Sequence, residues 1–422
     1  MTMKTSPTGD DELRRRLTGI CDEIARTEET LHVFVPGTHS RERVLEELDR
    51  LLARFPSPDK RPPLFGVPVG VKDIIHCDGH VTRCGSDLPP ELFQGAEAVA
   101  MTRLKDAGAI VMGKTATTEF AYFAPAETRN PVNPDHTPGG SSSGSAAGVA
   151  ACFFDYALGT QTVGSVIRPA SYCGIAGFKP SLGRIATQGV IPFSWTVDHV
   201  GVFGRSASGL PAVLGVLDHQ WKSAPPPNRV KLGVPVGAYI EQAEMPALGL
   251  YHERMRRIEA AGCELFEVPV LEDIEEINRR HNRLIAGEIA RVHAPWFEEQ
   301  KKRYRSVTRE IIEKGMSVEE AELVELRDSC HRLRKTLSAR MADNGLDAWI
   351  CPSTTGEAPK GLATTGSPLM NLPWTHSGLP AVTIPSGCGP AGLPLGIQLV
   401  GDFMADERLI ALATVVEQML EG

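Results

Sequence analysis

The sequence predicts an α/β layered fold built on a largely buried sheet. Two observations carry the prediction. From about residue 64 onward, short apolar runs alternate with amphipathic stretches of helical period. The composition, 42% hydrophobic and 23% charged over 422 residues, is that of an ordinary globular chain able to bury a large core. Alternation of this kind lays helices on the faces of a sheet.

The elements follow in order. Asp10 is positioned to cap a helix whose Leu13, Leu17, Ile20 and Ile24 share one face. A second helix, near Arg41 to Phe55, repeats the pattern with Val44, Leu48 and Leu51. FPSPDKRPP then breaks the chain, and LFGVPVGVKDII reads as a buried strand. Glu97 to Ala107 reads as a helix, AIVMG as a strand, Ser145 to Phe154 as a helix and YALGT as a strand. KLGVPVG, AWICP, PAVTIP and GIQLVG are further strands, with helices at Met245 to Ala261 and from Ala405. Between about Glu272 and Asn344 the helical stretches are long and charged. Acids are interspersed throughout them, which fits solvated helix faces better than a basic binding patch. APPPN, from Ala224 to Asn228, is the one candidate linker, although length alone would allow two or three domains.

Charge and cysteine usage exclude several classes. A net charge of −8 offers no footprint for nucleic acid or for an anionic membrane. Nine scattered cysteines without a C-x-x-C pair fit reduced thiols rather than a disulfide framework. The first residues lack the apolar region of a secretory signal, and no run approaches the ~18 apolar residues of a membrane span. A soluble, cytoplasmic protein is expected.

Three motifs match familiar patterns and fail on context. GAIVMGKT (Gly108 to Thr115) fits a phosphate loop, but its Ala-Ile-Val-Met core is itself a strand, with N–H groups committed to a sheet. Gly140-Ser141-Ser142-Ser143-Gly144 fits the G-x-S-x-G elbow of α/β-hydrolases, with Ser142 as nucleophile and a histidine such as His199 as partner. The preceding RNPVNPDHTPGG cannot be the central strand that elbow needs. Ser57-Pro58-Asp59-Lys60 fits S-x-x-K but lies in a proline-rich break.

Lys72 is the odd residue of its apolar strand, since lysine is seldom buried. It either pairs with Asp73 or reaches water at the strand end, or it is desolvated and neutral often enough to act as a base. GTQTVGSVIRP supplies a tight turn after YALGT that can aim the N–H groups of Thr162, Val163, Gly164 and Ser165 at one point. An attacking serine needs such donors for the oxyanion it creates. No histidine has an obvious triad context, but a neutral lysine can serve through a second hydroxyl, and GGSSSG offers three.

These segments resemble the amidase signature family. The carrying residues are VGVKD around Lys72, PGGSSSGSAAGVA (138–150) and GTQTVGSVIRPASYCGIAGFKPSLGRI (159–185). PFSWTVDHVGVFGRS (192–206), GLPAVTIP and LPLGIQLVG also fit, so the likeness spans nearly the whole chain. The resemblance implies Ser165 as nucleophile, Ser141 as proton relay within a cis peptide bond, and Lys72 as general base. Gly139, Gly140 and Ser142 would support that loop, and Glu119, Phe120, Asn371 and Trp374 would line the substrate. Two departures stand out. Val163-Gly164 replaces the Gly-Gly found in many members, and Gln161 stands where many have aspartate.

The implied fold is one large α/β/α domain around a mixed, mostly buried central sheet flanked by helices. Residues 1–60 would form N-terminal helices, 61–205 the catalytic region, 206–344 a largely helical cap on the substrate side, and 345–422 the strands and helix that complete the core. The implied reaction is hydrolysis of a C–N bond in a small or aryl carboxamide, with carbamates (urethanes) and ureas as alternatives. It needs water but no cofactor and no metal, and a homodimer is compatible with it. Two other roles are the amidase subunit of a tRNA-dependent amidotransferase, for which the chain looks short, and a non-catalytic scaffold of the same fold.

Overall fold

The structure, a computed structural model, describes residues 9–421. Ten strands form one mixed sheet: β1 (Pro68–Lys72), β2 (Ile110–Thr115), β3 (Tyr156–Gln161), β4 (Ala176–Lys179), β5 (His199–Gly204), β6 (Lys231–Val236), β7 (Glu264–Pro269), β8 (Ala348–Pro352), β9 (Ala381–Cys388) and β10 (Pro394–Val400). Their order is β2-β1-β3-β5-β4-β9-β10-β8-β6-β7. Pairing is parallel at both ends (β2-β1-β3 and β8-β6-β7) and antiparallel between β3 and β8. Strands near the middle, such as β3, β5 and β10, are buried along their whole length, as the continuous apolar runs require. The β2 edge is closed by Phe34, which bridges to Thr115, and by Val35 N–H, which donates to Lys114 O.

The helices are α1 (Asp10–Leu31), α2 (Arg41–Arg54), α3 (Val99–Asp106), α4 (Ser143–Ala150), α5 (Ile167–Tyr172), α6 (Leu210–Leu217), α7 (Met245–Ala260), α8 (Ile274–His293), α9 (Phe297–Gln300), α10 (Ser306–Gly315), α11 (Glu320–Asp343), α12 (Leu372–His376) and α13 (Asp406–Glu421). The expected α/β/α domain with a mixed, buried sheet is what the chain forms. Among the described residues no helix is long and apolar enough to cross a membrane. All nine cysteines are free.

Several details differ from the expectations. Asp10 is the first residue of α1 rather than its cap: Gly9 takes the cap position, and Asp10, Asp11 and Glu12 instead place three carboxylates in the first turn, against the helix dipole. The segment 206–344 is more than a cap. Within it β6 and β7 extend the sheet, and α7 anchors on it through Tyr251 Oη, which donates to Ile350 O. Only its later helices reach toward the loops that follow the central strands: α8 contributes Glu288, which accepts from Ser194 and Thr196. Strands β4, β5 and β7 escaped prediction, being short, glycine-bearing or, for β7, largely exposed at an edge.

Candidate active site

Lys72 ends β1, between β2 and β3, with no exposed surface. Its Nζ lies 2.6 Å from Ser141 Oγ and donates to Thr160 Oγ1 at 2.8 Å. Asp73 is not its partner; that carboxylate faces the buried Lys114 at 3.4 Å and accepts from Arg83 N–H. Loss of hydration therefore drives the Lys72 ammonium well below the usual lysine range, opposed only in part by the charge of Asp198. Burial thus favours the neutral amine over the ammonium relative to an exposed lysine.

The serine run is a set of hydroxyls with different addresses. The Gly140–Ser141 peptide is cis, and Ser141 O accepts from Thr118 N–H at 3.2 Å. Ser142 Oγ donates to Thr160 O and accepts from Thr160 N–H, both at 3.3 Å, which ties the loop to β3. Ser143 Oγ donates to Gly139 O at 2.8 Å, and Ser145 Oγ donates to Leu158 O at 2.9 Å. His199 is turned elsewhere, with Nδ1 against Val197 O at 2.7 Å, so Ser142 has no histidine partner and the elbow arrangement is absent.

Ser165 follows the turn after β3 and leads into α5. It is 6% exposed, and among the described residues its hydroxyl has no hydrogen-bond partner. No hydrogen bond joins it to Ser141. Among the described residues the N–H groups of Thr162, Val163, Gly164 and Ser165 also lack acceptors. A row of free donors beside a free hydroxyl can hold an anionic oxygen as it forms.

The amidase family model matches residues 16–410. The chain belongs to the amidase family. A curated relative, one of the subunits of the glutamyl-tRNA(Gln) amidotransferase of Synechococcus sp. (strain RCC307), is 30% identical, with 94% of this chain and 92% of the relative aligned. A solved amidase structure matches with a TM-score of 0.86 at 27% identity, covering 97% of this chain and 96% of that one. A second, from a vestigial protein complex bearing on the origins of an s-triazine catabolic enzyme, matches with a TM-score of 0.84 at 26% identity over 96% and 94%. The protein is thus an enzyme of the amidohydrolase class. The relative's own length is nearly all covered, so the expectation that the chain is too short for an amidotransferase subunit falls away.

One departure from the family pattern, Gln161, has a local account in this amidase. Gln161 Oε1 accepts from the N–H groups of Val166 and Ile167 at 2.8 and 3.0 Å, doing at the start of α5 what a carboxylate could do without its charge. Its Nε2 donates to Thr375 Oγ1, which in turn donates to Val163 O at 2.6 Å. The turn is thereby held by side chains from the end of β3 and from α12.

Of the residues expected to line the substrate, only Asn371 meets the turn. A Cβ on Gly164 would sit 2.5 Å from Asn371 Oδ1, an oxygen that is buried without a hydrogen-bond partner. Gly164→Ala is accordingly expected to cost about 1–3 kcal/mol in chemical denaturation and to lower turnover, because Asn371 is fixed by Ser353 O and cannot retreat freely. The other three are packed away. Glu119 is 1% exposed and accepts from Arg305 N–H, pinning the entry of α10. Phe120 lies among Phe93, His293 and Tyr304. Trp374 is sealed in the core, donating Nε1 to Tyr239 Oη and stacking on Trp349.

Sequence reasoning left Thr160, Asp198 and Arg168 unassigned. Arg168 is fully enclosed, and its Nη2 donates to Gly140 O at 2.6 Å and to Thr365 Oγ1 at 3.2 Å. Burial pushes its guanidinium down to about 10, so it stays charged near pH 7. The arginine in G-S-x-x-R-P was the available signal. Beyond Thr365 opens a cavity of about 630 Å³ bordered by Phe123, Tyr172, Thr364 and Gly366, with Glu244 and Glu357 on its wall.

Proposed function

We propose that this amidase hydrolyses the C–N bond of a small or aryl carboxamide through an acyl-enzyme on Ser165. The observation that carries the reading is the contact between a buried, carboxylate-free Lys72 Nζ and Ser141 Oγ at 2.6 Å. Neutral Nζ can spend its N–H donors on Thr160 and keep its lone pair for the Ser141 proton. Ser141 gives its proton to Lys72 and takes one from Ser165 as Ser165 Oγ bonds to the carbonyl carbon. The free N–H groups of residues 162–165 receive the carbonyl oxygen. Ser141 then returns a proton to the leaving nitrogen as the C–N bond breaks, and water releases the acyl group by the reverse relay. Carbamates and ureas present the same carbonyl to the same groups. The cavity beyond Thr365, bordered by Phe123, has room for an aryl or compact substituent.

The likeness to an amidotransferase subunit favours one second reading, in which the same serines release ammonia from glutamine for a partner protein. Treating the purified protein with a fluorophosphonate probe and mapping the adduct by peptide mass spectrometry tests the site. A panel of amides, carbamates, ureas and glutamine then tests the substrate. An adduct on Ser165 with turnover of aryl or alkyl amides is expected. Labelling at Ser142 would overturn the relay, and turnover of glutamine alone, rising when the other amidotransferase components are added, would select the second reading.

A further inference from the structure

Beside Thr160, which accepts from Lys72, lies a cavity that the relay does not use. It holds about 10 Å³, the room of one water molecule, and its polar wall is Thr160, Thr162, Thr187 and Asp198, with His199 alongside. Because Thr160 Oγ1 accepts from Lys72 Nζ at 2.8 Å, its own hydroxyl proton is free to donate into this space. On the other side Thr162 Oγ1 donates to Asp198 Oδ1 at 2.6 Å, while Asp198 Oδ2 accepts from the N–H groups of Phe193 and Ser194. The carboxylate therefore touches the 162–165 turn directly and shares this cavity with Thr160, which accepts from the lysine.

We propose that Asp198 is a positioning residue for the relay, fixing the turn through Thr162 and, across one water bound between Thr160 and Thr162, balancing the positive charge that forms on Lys72. The proposal rests on the reading of Lys72 as base. Asp198 makes and breaks no bond in the substrate; the proton taken from Ser141 stays on Lys72 until it returns.

The surroundings set when that charge is present. Asp198 is only partly buried as a residue, yet lost hydration pushes its carboxyl up to about 6 against the pull of its three donors, with the carboxylate of Glu288 on α8 adding to the rise. Glu288 is itself held by Ser194, Thr196 and Arg327 of α11. His199 is driven neutral by burial and by the charge of Lys179, and Lys72 on β1 is the group whose protonated form the charge of Asp198 favours. Above about pH 6 Asp198 is thus an anion, and its charge makes Lys72 a stronger base than burial alone would leave it.

Titration of Lys72 can be followed directly by NMR of the isotopically labelled lysine Cε, with Lys72→Met to assign the signal. Asp198→Asn is expected to move that titration to lower pH by about one pH unit, and the acid limb of kcat/KM with it. Thr162→Val keeps the charge and is expected to lower kcat about 100-fold, leaving the titration in place. In the unmutated protein the Lys72 signal should carry an inflection near pH 6, a readout that does not depend on Asp198→Asn folding. An unmoved titration in Asp198→Asn, or a missing inflection, overturns the proposal whatever turnover does. Full turnover in Lys72→Met would instead overturn the base assignment beneath it.

Discussion

Ser165→Ala is expected to abolish amide turnover, lowering kcat by roughly 10⁶-fold, the loss typical of removing a serine nucleophile. The variant should fold as well as the parent. Ser165 Oγ has no hydrogen-bond partner among the described residues, so its removal leaves no buried donor or acceptor stranded. Stability and activity therefore separate cleanly: an unchanged Tm with no detectable acyl-enzyme is the expected pair of results. Adding Ser141→Ala to Ser165→Ala should cost little more, since members of one relay fail together rather than additively. Ser142→Ala is the informative contrast. Its hydroxyl braces Thr160 at both N–H and C=O, so the loss should fall on stability first, by about 1–3 kcal/mol, with Ser165 still open to a fluorophosphonate. Equal losses of activity in Ser142→Ala and Ser165→Ala would contradict this division of labour.

What the sequence could and could not convey follows from the same contacts. Lys72 stood out because a strand buried on both faces reads as an unbroken apolar run, although pairing with Asp73 or an exposed strand end would equally have accounted for a lysine there. The addresses of the four hydroxyls from Ser141 to Ser145 were not legible. They depend on β1 pairing with β3, a contact between segments more than eighty residues apart, and on α4 beginning at Ser143 rather than Ser145. That helix is serine, glycine and alanine apart from Val149, and almost wholly buried, so it carries no amphipathic period. Its start is fixed by close approach instead: a Cβ on Gly144 would lie 2.2 Å from Val33 O. Glu119 and Phe120 were misplaced for a related reason. They follow β2 toward the serine loop, but Arg305 and the aromatic cluster from α8–α10, distant in sequence, draw both side chains away. Gln161 shows the opposite case. As a departure from a family pattern it raised a doubt that two N–H donors and Thr375 answer locally.

Lys72→Met is expected to eliminate turnover while raising stability near neutral pH. The two effects share one cause. Burial holds the folded-state titration of Lys72 well below its unfolded value, so between those two values the unfolded chain binds a proton that the folded one does not. Lower pH then favours unfolding, and the penalty fades only as pH rises toward the unfolded lysine value of about 10.4. Methionine fills nearly the same volume without that penalty, although it leaves Thr160 Oγ1 and Ser141 Oγ to find other partners. Urea denaturation at pH 7 and at pH 10 checks the sign: the advantage of Lys72→Met should be larger at pH 7 and shrink at pH 10. A difference between the two proteins that does not change from pH 7 to pH 10 would mean that folding leaves the titration of Lys72 unshifted, and a lysine so placed would remain charged at pH 7 and could not accept the Ser141 proton. Stability measured against pH thus tests the protonation state on which the chemistry depends, without any substrate being known.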